Sequence, residues 1–308
     1  RVTLSCVALC GGTHGNELSG IYLVQETLKN KRKGEAMEAV TVVTVISNPR
    51  AVQQRVRYTE TDLNLTRIST FSLSLSAPVS ERTPYEIIRS QELNSLLGPK
   101  GSGQAVDLIC DLHNTTANMG LCLITYADSD WICLHICKHL HHLLICCFVF
   151  LVFHSVYNPY SKYLSVCHGA MEIGPQPHGV IRSNIFTAMQ EAVHLMLDWV
   201  RLFNSGTQFD EGSVDVYTMV KNIDYPRDPY THNITAAVHP ELQDRDFCLL
   251  YPGDPIFLSF SGEILRYKGK EPLYPFFINE CAYYEKGVAL LLARKSKVKI
   301  PAIQCSRA

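Results

Sequence analysis

The chain has no CxxC pair, no GxSxG pentapeptide, no Lys-Ser or Lys-Thr in its glycine-rich GGTHG turn, no block of like charge and no long apolar run. Each absence removes a class of protein. The 12 cysteines follow no disulfide-framework spacing, so reduced thiols in a cytosolic protein are expected. Lacking the Lys-Ser/Thr of a P-loop, GGTHG is no phosphate cradle. Lacking a GxSxG elbow, the plentiful serines, histidines and aspartates do not point to a serine hydrolase. A formal net charge of -1 with 28 scattered Lys+Arg gives no electrostatic footprint for nucleic acid. The most apolar stretch, Leu143 to Phe153, falls far short of the roughly 20 residues that span a bilayer as a helix, and reads as a buried strand. The opening RVTLSC has no charged segment followed by a cleavage site, which leaves secretion unsupported. The missing initial Met implies that a few residues precede Arg1. Glycosylation triplets at Asn64, Asn114 and Asn233 carry no weight without secretion.

What is present is enough apolar sequence for a real core: 46% hydrophobic and 19% charged over 308 residues, the size of one large domain or two unequal ones. Strand-like and helix-like segments alternate through the first two-thirds. VTLSCVALC (2–10), VTVVTVIS (40–47, stopped by Asn48-Pro49), VDLICDLH (106–113), LCLITYA (121–127) and AMEIG (170–174) read as strands. Helical spacing marks 17–30, 85–97, 130–144 and 184–203, the last closed by Asn204-Ser-Gly206. This pattern predicts an α/β domain over 1–206, with helices on a mixed sheet. Beyond residue 206, short β-like pieces separated by Pro and Gly predict a smaller β-rich domain over 207–308.

The chemistry gathers at strand ends. GGTHGNE (11–17) places His14 and Glu17 three apart between a strand and a helix, where α/β sheets bind ligands. Imidazole and carboxylate are ordinary zinc ligands, and a catalytic zinc takes three from the protein. DLHNTT (111–116) offers His113 at the end of another strand. Glu172 lies in the apolar strand AMEIG, where a carboxylate is costly unless paired or functional. It reads either as the buried partner of an Arg or as a general base.

GGTHGNELSG, NPRAV, RY followed by DLN, SQELNSLLGPK, DLHNTTANMG, EIGPQPHGV, DYPRD, HPELQDRDF, PGDPIF and NECAYYEK together resemble the aspartoacylase/aminoacylase-3 family over almost the whole chain. The resemblance implies a zinc carboxypeptidase-like domain followed by a β-rich domain that narrows the entrance. It implies one zinc ion on His14, Glu17 and His113, Glu172 as general acid/base, and Arg57 as the group that polarises the amide carbonyl and stabilises the oxyanion. Asn64, Tyr160 and Tyr283, with Arg57 and Glu172, would contact substrate. The implied activity is deacylation of N-acyl amino acids, favouring N-acetylated aromatic or neutral ones and including mercapturate-type substrates. A homo-oligomer in the cytoplasm, with peripheral association at the apical plasma membrane allowed, is implied too.

Two departures leave alternatives open. Similar enzymes read DLNR, with the Arg on the substrate carboxylate, whereas this chain has Leu65, with Arg67 two residues on. Leu164 stands where aspartoacylase has the Arg that reads an aspartate side chain, which favours neutral or aromatic amino acids. Aspartoacylase activity on N-acetyl-aspartate and a catalytically impaired zinc-binding homologue are therefore the competing readings. In CLHICKHLHH, Cys133/Cys137 and His135/His139 fall at i,i+4. An amphipathic helix with its histidines on the wet face is preferred there to a second metal site. Cys167, beside His168, reads as a structural thiol rather than a nucleophile.

Overall fold

The apolar segments CVALCG, LICDLHN and CHGAMEIG lie side by side as parallel strands, and the chemistry gathers where they end. The computed structural model describes residues 3–32, 40–63, 78–99, 102–125, 129–143, 147–151 and 167–303. Asn64, Leu65, Arg67, Tyr160 and Leu164 lie outside the described residues, as do the side chains of Cys167 and His168.

The elements run β1 (Cys6–Gly11), α1 (Leu18–Arg32), β2 (Thr41–Ile46), α2 (Pro49–Gln54), α3 (Tyr85–Leu97), β3 (Leu108–Asn114), β4 (Gly120–Thr125), α4 (Trp131–Leu143), β5 (Cys147–Leu151), β6 (Cys167–Gly174) and α5 (Ser183–Ser205). There follow β7 (Gly212–Ile223), β8 (Ala236–Val238), β9 (Pro255–Ser259), β10 (Ile264–Arg266), β11 (Tyr274–Phe276), a 3-10 helix (Cys281–Lys286) and β12 (Leu290–Ile300). One nine-stranded mixed sheet has the order β11-β12-β7-β5-β4-β6-β3-β1-β2, and an antiparallel three-stranded sheet has the order β10-β9-β8. The expected α/β architecture with a β-rich later part is met. The large sheet also runs on past residue 206 through β7, β12 and β11.

Side chains alternate across a strand, so a strand apolar throughout must be covered on both faces. Val7 and Leu9 of β1, with Leu108, Cys110 and Leu112 of β3, pack on one face against α1, α4 and α5. Ala8, Cys10 and Ile109 pack on the other against Leu93 and Leu97 of α3. This parity places the site. Asp111 and His113 share the Ile109 face, and Glu172, register partner of His113, emerges beside them.

Three local readings are corrected. β1 begins at Cys6 rather than residue 2. Asn48-Pro49 does not merely stop β2 but starts α2: the Asn48 side chain accepts the Ala51 amide at 3.1 Å and Pro49 fills the first turn. The histidines of α4 are not all on a wet face. His135 is buried, stacks on Trp199 and is bonded through Nε2 to the Pro301 carbonyl at 2.8 Å. Among the described residues the α4 Cys/His set forms no metal cluster.

Candidate metal centre and active site

The GGTHGNE turn follows β1 at the carboxyl end of the sheet and passes close to α2. A Cβ at Gly15 would lie 2.1 Å from the Ala51 backbone, so only glycine lets the turn pass α2. The Glu17 amide donates to the His14 carbonyl at 3.2 Å, folding the two side chains onto one side. Asn114, at the end of β3, accepts the Ser19 amide at 3.0 Å, and its own amide donates to Glu17 Oε2 at 3.0 Å. The first turn of α1 is thereby fixed to the strand that carries His113.

His14, Glu17 and His113 meet there, all buried, with one donor atom of each within 4.8 Å of the others. His14 Nδ1 is 2.7 Å from Glu17 Oε1, and His113 Nδ1 is 2.9 Å from Glu17 Oε2 and 3.2 Å from His14 Nδ1. Both imidazoles turn Nδ1 inward and Nε2 toward a carboxylate: His14 to Asp62 Oδ1 at 3.0 Å, His113 to Asp111 Oδ2 at 2.8 Å. Such outer carboxylates fix ring orientation and raise ligand basicity in metal sites. Thr13 in turn donates to Asp111 at 2.8 Å. Two imidazole nitrogens and a carboxylate fit a catalytic zinc, which keeps one position open.

Electrostatics follow from burial and crowding. Burial opposes the Glu17 charge, yet the two imidazoles hold its carboxyl well below the ordinary range. Burial works against protonation of His113, but Asp111 and Glu17 push it well above its ordinary value. Burial and then the Glu17 charge drive Glu172 well above the ordinary carboxyl range. Its Oε1 is buried with no hydrogen-bond partner, and no Arg forms a salt bridge with it, among the described residues. Arg57 follows the α2 exit, where Arg55 takes a left-handed conformation at φ 57°. It pairs through Nη1 with Glu17 Oε1 at 2.9 Å.

The second half of the chain closes over this cluster. Tyr283, on the 3-10 helix, packs on Phe277 with ring centroids 5.2 Å apart, and the Lys286 ammonium lies 5.3 Å from its ring centroid. Three supporting groups escaped the sequence reading. Glu280, 2% exposed, accepts the Thr116 amide at 2.7 Å and hydroxyl at 3.0 Å, the Ala282 amide at 3.0 Å, and the Thr115 hydroxyl. Asp62 links His14 to Lys286, whose Nζ lies 2.9 Å from Oδ2. Tyr58 donates to Glu285 at 2.9 Å. A lone carboxylate in the apolar FFINE was a signal of the same kind as Glu172. Asp62 and Asp111 were visible only as neighbours of the DLN and DLH motifs.

Among described residues, no helix is long and apolar enough to cross a membrane. The family model described as succinylglutamate desuccinylase/aspartoacylase catalytic domain matches residues 4–200, and the AstE/AspA barrel-sandwich hybrid domain matches 212–295. The N-acyl-aromatic-L-amino acid amidohydrolase (carboxylate-forming) B of Danio rerio is 54% identical, covering 99% of this chain and 97% of that protein. The Homo sapiens amidohydrolase is 45% identical over 98% of this chain and 94% of its own length. Aspartoacylase of Mus musculus is 40% identical over 96% and 94%. The crystal structure of murine aminoacylase 3 superposes with a TM-score of 0.91 at 40% identity, covering 99% of this chain and 100% of that one.

Proposed function

The chain belongs to the succinylglutamate desuccinylase/aspartoacylase family, and from that premise we propose that it is a zinc amidohydrolase releasing a carboxylate and a free amino acid from N-acyl amino acids, aromatic ones above all. The observation that carries this reading is the convergence of His14, Glu17 and His113 within 4.8 Å beside a buried Glu172 oxygen that has no hydrogen-bond partner among the described residues.

His14, Glu17 and His113 would hold one zinc ion, with Asp62 and Asp111 orienting the two imidazoles. When bound, zinc supplies Lewis-acid polarisation of an acyl carbonyl and lowers the pKa of water. Glu172 takes the proton of the attacking water and delivers it to the departing amine, a task suited to a carboxyl whose pKa burial has raised. Arg57, its charge fixed and its guanidinium beside Glu17, donates to the oxyanion of the tetrahedral intermediate. Tyr283, carried in from the second half of the chain, bounds the substrate on the far side, while Asn64 and Tyr160 complete the proposed contacts. The same reading divides the chain at about residue 206 into a hydrolytic and a shielding domain. It also carries a cytoplasmic location, with peripheral association at the apical plasma membrane allowed, and a homo-oligomer, which sedimentation of the purified protein tests.

Zinc-loaded protein assayed with N-acetyl-phenylalanine, N-acetyl-tyrosine and N-acetyl-aspartate tests the activity. The aromatic substrates are expected to turn over fastest. A preference for N-acetyl-aspartate would replace the substrate assignment, and no turnover with zinc bound and the fold intact would overturn the enzymatic reading.

A further inference from the structure

An N-acyl amino acid keeps a free carboxylate after its amide is engaged, and that charge needs a cation on the solvent side of the reaction centre. Arg57 pairs with Glu17 through Nη1, and in the proposed reaction its remaining donors serve the oxyanion. Lys286 is differently placed. Its ammonium lies 2.9 Å from Asp62, whose other oxygen is 3.0 Å from His14, so it stands two hydrogen bonds from the metal ligands. It also lies 5.3 Å from the centroid of the Tyr283 ring. Side-chain exposure is 3% at Glu17, 15% at Arg57 and 23% at Lys286, so Lys286 is the more solvent-accessible of the two cations.

Resting on the proposed amidohydrolase reading, we infer that Lys286 is a specificity-determining residue whose ammonium receives the carboxylate of the substrate. An ammonium has three donors, and Asp62 takes one. Asp62 and the Tyr283 ring hold the head group in place, so little freedom is lost when an anion arrives. The 3-10 helix that carries both Tyr283 and Lys286 is fastened to the first half of the chain at Tyr58–Glu285 and at Glu280. Closure of the second half over the cluster thus delivers an aromatic wall and a cation together.

The test measures binding to zinc-loaded Glu172→Gln protein, in which turnover is suppressed. The probes are N-acetyl-L-phenylalanine and its uncharged primary amide, titrated calorimetrically. The acid is expected to bind about tenfold or more tightly than the amide. Lys286→Met should abolish that preference by weakening the acid alone, and Lys286→Arg should restore most of it. Equal weakening of both probes, or an unchanged preference, would overturn the inference by leaving Lys286 a mere tether of Asp62. Asp62→Asn added to Lys286→Met controls for the uncovered carboxylate: a preference restored in the double variant would also overturn it. Turnover by the wild type is read separately. Lys286-dependent acid binding without turnover would sink the amidohydrolase reading and leave this inference standing.

Discussion

Glu280 and Thr116 are joined twice, through the Thr116 amide at 2.7 Å and its hydroxyl at 3.0 Å, three residues beyond His113. The carboxylate also reads the Ala282 amide, so one buried charge fastens the 3-10 helix of Tyr283 to the loop that leaves the metal centre. Burial opposes that charge, but His178 and these donors hold the Glu280 pKa at about 2. A carboxyl depressed in the folded state stabilises above its unfolded value, and that contribution is lost as pH falls from about 4.5 toward 2. The shift corresponds to roughly 3 kcal/mol. Glu280→Gln should therefore lower unfolding stability by about that order near neutrality, with the deficit shrinking in acid. Displacing Tyr283 should also cost activity about 100-fold. Denaturant titrations at several pH values check the first claim and turnover the second; a pH-independent deficit would sink the electrostatic account.

Metal retention should depend on the ligands and on the carboxylates behind them in different degrees. His113→Ala removes one of three ligands and should abolish stoichiometric zinc. Asp111→Asn leaves the imidazole but replaces the charge 2.8 Å from its Nε2. Zinc affinity should then fall about 10- to 100-fold. Elemental analysis after dialysis against a graded chelator series separates the two, and equal loss in both variants would argue against an orienting role for Asp111.

Glu172→Gln keeps the shape of the side chain and removes its capacity to carry a proton. Turnover should drop about 100- to 10,000-fold while zinc content and Tm stay near the wild-type values. Burial already holds the group well above the ordinary carboxyl range, so loss of the proton carrier, and not of a structural charge, is what the assay would read. Activity within tenfold of wild type would reassign the base.

His14, Glu17, His113 and Glu172 were legible because each is local: an HxxE at a strand end, a His at the next strand end, a carboxylate in an apolar strand. The parity that puts His113 and Glu172 on one face follows from period-two alternation once β3 and β6 are paired. That pairing is what a single sequence does not display. Glu280 and Lys286 were missed for the same reason, since their partners Thr116 and Asp62 lie 164 and 224 residues away. α2 is hidden differently: Asn48-Pro49 fits a strand stop, although an Asn cap followed by Pro is also a helix start. His135 shows the limit of periodicity, because α4 is covered on the side where its histidine was expected to meet water.

Asp246, in the HPELQDRDF segment, provides a pH dependence of opposite sign. Its Oδ1 accepts the Ile278 amide at 3.1 Å, while Oδ2 is buried with no hydrogen-bond partner among the described residues. Burial pushes its pKa up to about 7, from an ordinary 3.8. Between those values the folded protein binds a proton that the unfolded chain does not, so stability falls as pH rises through the window. Above pH 7 the carboxylate is charged and buried, with no hydrogen-bond partner for Oδ2 among the described residues. Asp246→Asn keeps an oxygen for Ile278 and cannot ionise. It should flatten the dependence of Tm on pH between about 4 and 7, and gain on the wild type by on the order of 1 kcal/mol or more at about pH 8. Thermal unfolding of both proteins across that range decides the matter, and parallel curves would mean that Asp246 does not titrate there.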